Sequence, residues 1–325
     1  MQFTLGISSD LLTNEGNPCF GEQPLMALYE EKQIHVEWME PNIQILSQKE
    51  TSKYDAILLN SPKLTKDSIN SKNNKLKIVS RFGVGYDSVD LNVLKKNNIM
   101  LTNTPNAVRR PVAVASLTMI LSLSGKIIIK DNLLREGLWN ERTNHMGVGL
   151  INKTLGIVGF GGIGREFVKI SRDLFKKVIC YDPFVDEEEM KNLQVNKVDF
   201  DEIASSSDFL VILCDLNKNT RGMIDKTFLN KMKKSSYLIN LSRGPVINEN
   251  DLIATLKQNK IAGAGLDVMT NEPIEENNEL INLKNTILTP HSLCWTDECF
   301  NSIATEAISS ILNFFSNKPI LNRVV

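Results

Sequence analysis

Three glycines with the spacing Gly-x-Gly-x-x-Gly stand at Gly159, Gly161 and Gly164. An apolar stretch precedes them and a helical pattern follows, which is the context in which this motif binds the diphosphate of a dinucleotide. The first glycine permits a tight turn, the second lets backbone N–H groups approach the diphosphate, and the third lets the helix pack closely on the strand. The helix N-terminus adds partial positive charge, which stabilises the anion.

An acidic residue, Asp182, ends the next apolar run, 18 residues beyond Gly164, close to the spacing of about 20 that is typical of this motif. Its carboxylate can accept hydrogen bonds from both hydroxyls of a ribose and would repel a 2′-phosphate. The two features together predict NAD, in preference to NADP, as the cofactor. The alternative is a glycine-rich turn in a purely structural α/β unit, with Asp182 as an ordinary surface carboxylate.

Three further side chains could carry acid–base chemistry, because Arg243, Glu272 and His291 each follow an apolar, strand-like run. Ligands of an open parallel sheet bind beyond the carboxyl ends of its strands, so these side chains can converge beside a nicotinamide. Histidine has an ordinary pKa of about 6.5 and can exchange a proton, and a neighbouring carboxylate stabilises its protonated form. Arginine can grip a planar carboxylate and polarise the adjacent carbonyl. The other two histidines, His35 and His145, are expected to be structural or solvent-facing.

Short runs rich in β-branched residues alternate with helix-compatible segments, which is the pattern of β-α-β units around a parallel sheet. One series of predicted strands covers 3–6, 35–38, 56–59, 77–80 and 100–103, and a second covers 155–158, 178–181, 209–214, 237–241, 263–268 and 286–288. The predicted fold class is therefore α/β, with two doubly wound, Rossmann-like parallel sheets in one chain.

The two series of strands predict two domains. Proline at 105 disfavours helix at the residue before it, and a long helix should begin near Pro111. The last predicted helix, 296–315, is expected to cross back and complete the first domain. The predicted domains are 1–103 plus 294–325, and 104–293 inserted between them.

Composition narrows the choice of function. The 325 residues include 37 Lys+Arg and 38 Asp+Glu, for a net charge of −1, which argues against nucleic-acid or anionic-membrane partners. Five scattered cysteines show no metal-ligand spacing, so no metal is expected, and a reducing cytoplasm is the expected location. No signal-peptide pattern is visible at the start. The apolar helical pattern at 112–129 is interrupted by serine, threonine and lysine, which favours a buried helix over a membrane span.

Over nearly its whole length, the chain resembles the D-isomer-specific 2-hydroxyacid dehydrogenases. The likeness rests on Gly83–Asp90, Lys153–Gly159, Ile239–Gly244, Gly265–Val268 followed by Glu272-Pro273, and Leu288–His291. The resemblance implies an NAD-dependent oxidoreductase that transfers a hydride between the cofactor and a small anionic D-2-hydroxy acid or 2-keto acid, of the hydroxypyruvate, glyoxylate or phosphoglycerate type. It also implies a substrate domain formed by both chain ends, a cofactor domain between them, and a homodimer with contacts through the long helix near 111–123.

The same resemblance assigns roles to individual residues. His291 would be the acid/base, Glu272 its partner and Arg243 the substrate clamp. Backbone amides of Val84 and Gly85 would bind the substrate carboxylate. The implied cofactor contacts are the backbone N–H groups of Gly162 and Ile163 at the diphosphate, Asp267 at the nicotinamide carboxamide, and Cys214 and Thr220 along the adenosine and ribose.

Two departures from the family pattern leave the substrate open. Val114 stands where most members carry glutamate, and it follows Arg109 and Arg110, which could reach an extra carboxylate or phosphate or form a surface or interdomain salt bridge. Trp295 replaces a small residue after His291, where it would either line the pocket or pack at a domain or subunit contact. The alternative functions are a phosphite-type dehydrogenase on the same scaffold and an NADH-sensing binding protein similar to the C-terminal binding protein corepressors.

Overall fold

The computed structural model of the chain describes residues 2–69 and 73–325. It forms two compact units, the first made of Met1–Val108 with Trp295–Val325 and the second of Arg109–Cys294. The segment 104–108 belongs to the first unit, although the sequence placed it in the second. The reason is local hydrogen bonding, since the Thr104 N–H donates to the Gly83 carbonyl and the Ala107 N–H donates to the Glu306 carboxylate.

Eleven α-helices occur in the described ranges. In chain order they are α1 (Gln23–Tyr29), α2 (Gln48–Lys53), α3 (Leu91–Lys96), α4 (Arg109–Gly125), α5 (Ile127–Arg135), α6 (Gly162–Ser171), α7 (Glu187–Asn192), α8 (Phe200–Ser206), α9 (Lys226–Leu229), α10 (Glu249–Lys257) and α11 (Asp297–Phe315).

The first unit is built on a five-stranded parallel sheet. Its strands are β1 (Phe3–Ile7), β2 (Ile34–Trp38), β3 (Ala56–Leu59), β4 (Ile78–Arg81) and β5 (Met100–Thr102), in the order β2-β1-β3-β4-β5. The strand β3 is buried along its whole length, as expected for a parallel sheet covered on both faces. Helix α11 provides part of that cover, because its buried face packs on β3 and β4 and the Ser80 hydroxyl donates to its Ala307 carbonyl.

The second unit is built on a seven-stranded parallel sheet. Its strands are β6 (Thr154–Val158), β7 (Lys177–Tyr181), β8 (Asn196–Lys197), β9 (Phe209–Ile212), β10 (Tyr237–Asn240), β11 (Gly263–Leu266) and β12 (Thr286–Leu288), in the order β12-β11-β10-β9-β6-β7-β8. The two sheets confirm the predicted fold class. The sequence did not predict the two-residue β8, and β9 and β11 end two residues earlier than predicted because the chain leaves the sheet there to form the loops of the site.

Helix α4 begins at Arg109, two residues before the expected start at Pro111, and buries one face that includes Val112, Met119 and Ile120. Lys126, with a left-handed φ of +52°, separates it from α5.

None of the helices within the described ranges is by itself long and apolar enough to cross a bilayer. Only α4 and α5 taken together reach that length and composition, and they are bent by 55° relative to each other.

The strand order of the second unit decides which loops lie together. The neighbouring strands β10, β11 and β12 are followed by the loops that carry Arg243, Glu272 and His291. The neighbouring strands β9, β6 and β7 are followed by Cys214, the glycine motif and Asp182. The chain runs outward in both directions from the boundary between β6 and β9, which is the switch point where sheets of this kind bind dinucleotides.

Candidate active site

The glycine motif forms the turn between β6 and α6. Gly159 has a left-handed φ of +100°, and a Cβ atom there would lie 2.6 Å from the backbone nitrogen of Cys214. A Cβ on Gly164 would overlap the carbonyl oxygen of Gly159, so this glycine lets α6 pack directly on the turn. At Gly161, by contrast, a Cβ would meet no atom within 4 Å, which leaves the mouth of the turn open to a ligand.

The N-terminus of α6 opens onto this space. Gly161 is its N-cap residue and offers no side-chain hydrogen bond to the first turn. The backbone N–H groups of Gly162 and Ile163 therefore have no side-chain cap and suit an anionic ligand. The glycine-lined space and these N–H donors fit the diphosphate of a dinucleotide.

Asp182 follows β7 beside the glycine turn. Its Oδ2 accepts a hydrogen bond from the Phe160 N–H at 2.8 Å, and its Oδ1 accepts one from the Phe184 N–H at 2.9 Å. These two bonds fix the plane of the carboxylate, and each oxygen keeps a further lone pair that can accept a hydrogen bond. The Asp182 carboxylate is thus held beside the glycine turn and can accept further hydrogen bonds.

The two residues expected along the adenosine and ribose lie after β9. Cys214 touches the glycine turn through its backbone, and burial raises the pKa of its thiol to about 12, with a further contribution from the charge of Asp215. The thiol is therefore neutral at physiological pH. The Thr220 hydroxyl donates to the Asp215 carbonyl at 2.7 Å and accepts from the Asn217 N–H at 2.8 Å, so it stabilises the loop between them.

Arg243 lies on the loop after β10, and a buried asparagine shapes that loop. The Oδ1 atom of Asn240 accepts hydrogen bonds from the N–H and the hydroxyl of Ser242, and its Nδ2 donates to the Arg243 carbonyl at 3.0 Å. The Arg243 guanidinium donates to the Ser242 carbonyl at 2.7 Å. At the next residue, Gly244, a Cβ would overlap the backbone of Met269, so the loops after β10 and β11 are in direct contact.

His291 and Glu272 form a hydrogen-bonded pair. The Nδ1 atom of the imidazole lies 2.8 Å from Oε2 of the carboxylate, and the other carboxylate oxygen accepts the Met269 N–H at 2.9 Å. Burial raises the pKa of Glu272, but the hydrogen bond and charge of His291, the Met269 N–H and the charge of Arg243 outweigh this and hold the pKa below its ordinary value. Arg243 lies on the neighbouring loop, which contacts this one at Gly244 and Met269, so all three side chains are on the same edge of the sheet.

A buried carboxylate, Asp267, holds the backbone turn that carries His291. The histidine adopts a left-handed φ of +54°, an uncommon conformation for a residue with a side chain. Oδ1 of Asp267 accepts the Thr289 hydroxyl at 2.6 Å and the N–H groups of Ser292 and Leu293 at 3.0 and 3.1 Å. Burial raises the pKa of Asp267 above its ordinary value, and these three donors counteract only part of that effect.

The remaining sequence-predicted site residues, Val84 and Gly85, and one of the two histidines without a predicted catalytic role, His35, lie in the first unit. Val84 and Gly85 are in the loop after β4, where the Val84 carbonyl accepts the Asn103 side-chain amide at 2.9 Å. The histidine in β2, His35, is half-exposed and pairs with Glu37 at 3.0 Å, and His145 ends a 3₁₀ helix that begins at Trp139.

The two arginines that precede Val114 and the tryptophan that follows His291 have defined surroundings. Arg110 forms a salt bridge with Glu166 at 2.9 Å, whereas Arg109 lies against Gly162. In the first unit, the exposed ring of Trp295 packs on Phe300 with 4.9 Å between ring centroids. Within residues 2–69 and 73–325, no group of three or more His, Cys, Asp or Glu side chains is arranged to hold a metal ion.

Two of these contributors, Asn240 and Thr289, were not identified from the sequence, whereas Arg109 was named only as a residue that could reach an extra anionic group. Asn240 and Thr289 both belong to the quoted motifs, so they could have been singled out as short polar residues at strand ends. The position of Arg109 has no such signal, because it depends on the packing of α4 on α6, which lies more than fifty residues further along the chain.

Comparison with known proteins places these features in a family. Residues 117–292 match the family described as D-isomer specific 2-hydroxyacid dehydrogenase, NAD binding domain. The chain is 34% identical over 317 residues to D-3-phosphoglycerate dehydrogenase of Bacillus subtilis, covering 97% of this chain and 58% of that protein. It is 37% identical over 246 residues to glyoxylate reductase of Thermococcus litoralis, covering 74% of each.

The fold has solved counterparts. The structure of D-lactate dehydrogenase from Aquifex aeolicus, complexed with NAD and lactic acid, superposes on this chain with a TM-score of 0.83 at 25% identity, and the match covers 96% of each chain.

The chain spans only 52% and 58% of the length of the phosphoglycerate dehydrogenases of Archaeoglobus fulgidus and Bacillus subtilis. The family match covers more than half of the chain, and it includes the glycine turn, Asp182 and the Arg243, Glu272 and His291 group. The chain belongs to the D-isomer-specific 2-hydroxyacid dehydrogenase family, and residues 117–292 match the NAD-binding domain of that family.

Proposed function

We propose that the protein is an NAD-dependent oxidoreductase that interconverts a small D-2-hydroxy acid and the corresponding 2-keto acid. The observation that carries this proposal is the His291–Glu272 pair at 2.8 Å, on the same sheet edge as Arg243 and in the same unit as the glycine turn. Bound NAD would supply the hydride donor or acceptor. The side chains of the protein would supply the proton and the binding of the acid.

Proton transfer is assigned to His291 Nε2. Glu272 engages Nδ1, which fixes the ring orientation and favours a proton on that nitrogen. Among the described residues, nothing hydrogen-bonds to Nε2, so this atom is available to protonate a carbonyl oxygen in one direction and to accept the hydroxyl proton in the other. Glu272 stabilises the protonated ring between the two events.

Binding of the acid is assigned to Arg243, with the backbone amides of Val84 and Gly85 as further donors to its carboxylate. An arginine grips a carboxylate through two parallel N–H donors and draws electron density from the neighbouring carbonyl. Asn240 donates a hydrogen bond to the Arg243 carbonyl, which limits the movement of the arginine that binds the substrate.

The cofactor is proposed to bind at the glycine turn. The backbone of Gly162 and Ile163 would bind the diphosphate, and Asp182 would bind the ribose. Cys214, Thr220 and Asp267 are the remaining proposed contacts, at the adenosine, ribose and nicotinamide carboxamide.

The substrate is proposed to be of the hydroxypyruvate, glyoxylate or phosphoglycerate type, since the relatives include glyoxylate reductases and phosphoglycerate dehydrogenases. A panel of 2-keto acids with NADH, scored by kcat/KM, would test this. Turnover with at least one of these acids is the expected result. Tight NADH binding without turnover on any member would favour the NADH-sensing alternative. The phosphite-type alternative depends on Arg109 and Arg110 as possible anion-binding residues, and the salt bridge of Arg110 with Glu166 weakens it.

We also propose a homodimer formed through α4, α5 and the segment that follows. Large apolar side chains in this region are 44–76% exposed, and such a concentration is typical of an interface. They are Val114, Leu121, Ile127, Ile128, Leu134, Leu138, Trp139, Met146 and Ile151. Light scattering after gel filtration should give the mass of a dimer, and Ile128→Asp should give a monomer. The control Leu174→Asp, at an exposed leucine outside this region, should remain dimeric.

A cytoplasmic location is proposed because the five cysteines are scattered along the sequence without a paired or metal-ligand spacing, as expected in a reducing compartment. Cell fractionation with an antibody against the protein would test this location.

A further inference from the structure

Arg109, the first residue of α4, places its side chain on the N-terminus of α6. A Cβ atom built on Gly162 would lie 2.6 Å from Arg109 Nε, 3.1 Å from Cδ and 3.2 Å from Cζ. The guanidinium of Arg109 therefore fills the space that a side chain at residue 162 would occupy. The Cα–Cβ bonds of a helix tilt toward its N-terminus, so this space lies beside the mouth of α6, next to the N–H groups that face the open turn.

Packing of helix α4 on the sheet holds the backbone of Arg109 in place. Further along the same helix, Met119 lies so close to β11 that a Cβ on Gly265 would overlap its side chain. Helix α4 therefore rests on the sheet of the second unit through a close contact at a glycine. This packing fixes the backbone of Arg109, at the start of the helix, relative to the glycine turn.

The other two arginines near this turn are already engaged. Arg110 pairs with Glu166, and Arg165 pairs with Glu189 while its guanidinium lies 5.6 Å from the centre of the Phe160 ring. Arg109, by contrast, has no ion pair or hydrogen bond with any of the described residues, and its side chain is exposed. A solvent-accessible guanidinium without a counter-ion, held beside an open anion-binding turn, favours an anionic ligand at this point.

We propose that Arg109 is a cofactor-binding residue whose guanidinium donates hydrogen bonds to the diphosphate of the dinucleotide, in the place of the side chain that Gly162 lacks. This proposal rests on the proposed function, because it requires that the glycine turn binds a dinucleotide. It assigns to Arg109 the cofactor's phosphates and not a phosphate on the substrate, since the side chain lies on the glycine turn itself.

Binding measurements with fragments of the cofactor test the proposal without turnover. Calorimetry or fluorescence titration would compare NADH, ADP and adenosine on the wild-type protein, Arg109→Gln and the matched control Arg110→Gln. Losing a hydrogen bond to a charged group corresponds to a fall in affinity of about 10- to 100-fold. Arg109→Gln should show that loss for NADH and ADP but bind adenosine as the wild type does, and Arg110→Gln should change none of the three by more than about threefold.

A second pair of variants tests whether the charge itself matters. Gly162 does not have a left-handed backbone, so an arginine can be accommodated there once the side chain of Arg109 is removed. Arg109→Ala combined with Gly162→Arg should recover part of the ADP affinity that Arg109→Ala alone loses.

Three results would overturn the role of Arg109: unchanged ADP affinity in Arg109→Gln, an equal loss for adenosine, or no recovery in the double variant. A wild-type protein that binds neither NADH nor ADP would instead overturn the proposed function, which keeps the two failures apart.

Discussion

Replacing Glu272 with glutamine separates the charge of this side chain from its shape. The two carboxylate oxygens accept different donors, Oε1 the Met269 N–H at 2.9 Å and Oε2 the His291 Nδ1–H at 2.8 Å. A glutamine offers one oxygen and one NH₂ group. When the imidazole is protonated, one of the two donors faces the NH₂ group in either orientation of the amide, so Glu272→Gln loses one hydrogen bond and the negative charge without leaving a cavity.

The size of the effect follows from the geometry and exposure of the pair. A hydrogen bond to a charged group contributes about 1.5–3 kcal/mol. The His291 and Glu272 side chains are 43% and 39% exposed, so solvent screening favours the lower end of that range. A loss of about 1.5 kcal/mol corresponds to a rate roughly tenfold lower. Because the lost bond stabilises the protonated imidazole, kcat/KM for keto-acid reduction should fall about tenfold. The difference from the wild type should shrink as the pH falls through the lowered pKa of Glu272, where the wild-type carboxylate also loses its charge.

The assay is NADH oxidation with the best 2-keto acid of the panel, measured across pH, together with the Kd of NADH. Glu275→Gln is the matched control, because Glu275 lies in the same loop and, in the described structure, its side chain accepts only the Asn271 side-chain amide. The control should keep the wild-type profile. A wild-type pH profile and rate in Glu272→Gln would refute the role of the carboxylate. A loss of NADH affinity equal to the loss of rate would show that Glu272 acts on cofactor binding instead.

Three further predictions concern acid–base chemistry, cofactor choice and stability. His291→Ala should nearly abolish turnover and leave the Kd of NADH near its wild-type value; loss of NADH binding would contradict the assigned role. Asp182→Ala should relax the preference for NADH over NADPH, measured as the ratio of kcat/KM values, and an unchanged ratio would mean that another group sets it. Asp55 is buried, which raises its pKa, but its ion pairs with Lys75 and Lys77 at 2.8 and 3.1 Å and the Thr4 N–H bring the pKa below its ordinary value. Its contribution to stability is therefore present above the unfolded-state pKa of about 3.9 and is lost as the pH falls through the folded-state pKa. Asp55→Asn should lower Tm at pH 7, and the difference from the wild type should shrink as the pH is lowered into the acid range; a difference that does not change with pH would contradict this.

The sequence predicted the features that depend on neighbouring residues. Buried parallel strands are encoded by short apolar runs, so eleven of the twelve strands of the two sheets were predicted, with ends displaced by no more than two residues. The exception, β8, has only two residues, Asn196 and Lys197, neither of which is typical of a strand. The glycine motif was recognisable because its three positions and its flanking strand and helix all lie within one short segment.

Features that depend on long-range packing were not predictable in this way. The resemblance gave Asp267 one role, at the nicotinamide carboxamide, which stays a prediction. Its three hydrogen bonds to the turn around His291 come from residues 22 to 26 positions away. The left-handed backbone of His291 is a response to those bonds and has no local signature, because glycine is the residue usually expected there.

The discontinuity of the first unit has a consequence for the order in which the protein can fold during synthesis. The five strands of that unit emerge from the ribosome before residue 103, but α11, whose buried face covers β3 and β4, emerges only after the whole of Arg109–Cys294. The second unit is continuous and can fold as soon as it has been made. Until α11 arrives, one face of the first sheet is without its cover, so the nascent chain must keep an apolar surface from aggregating while nearly two hundred further residues are translated.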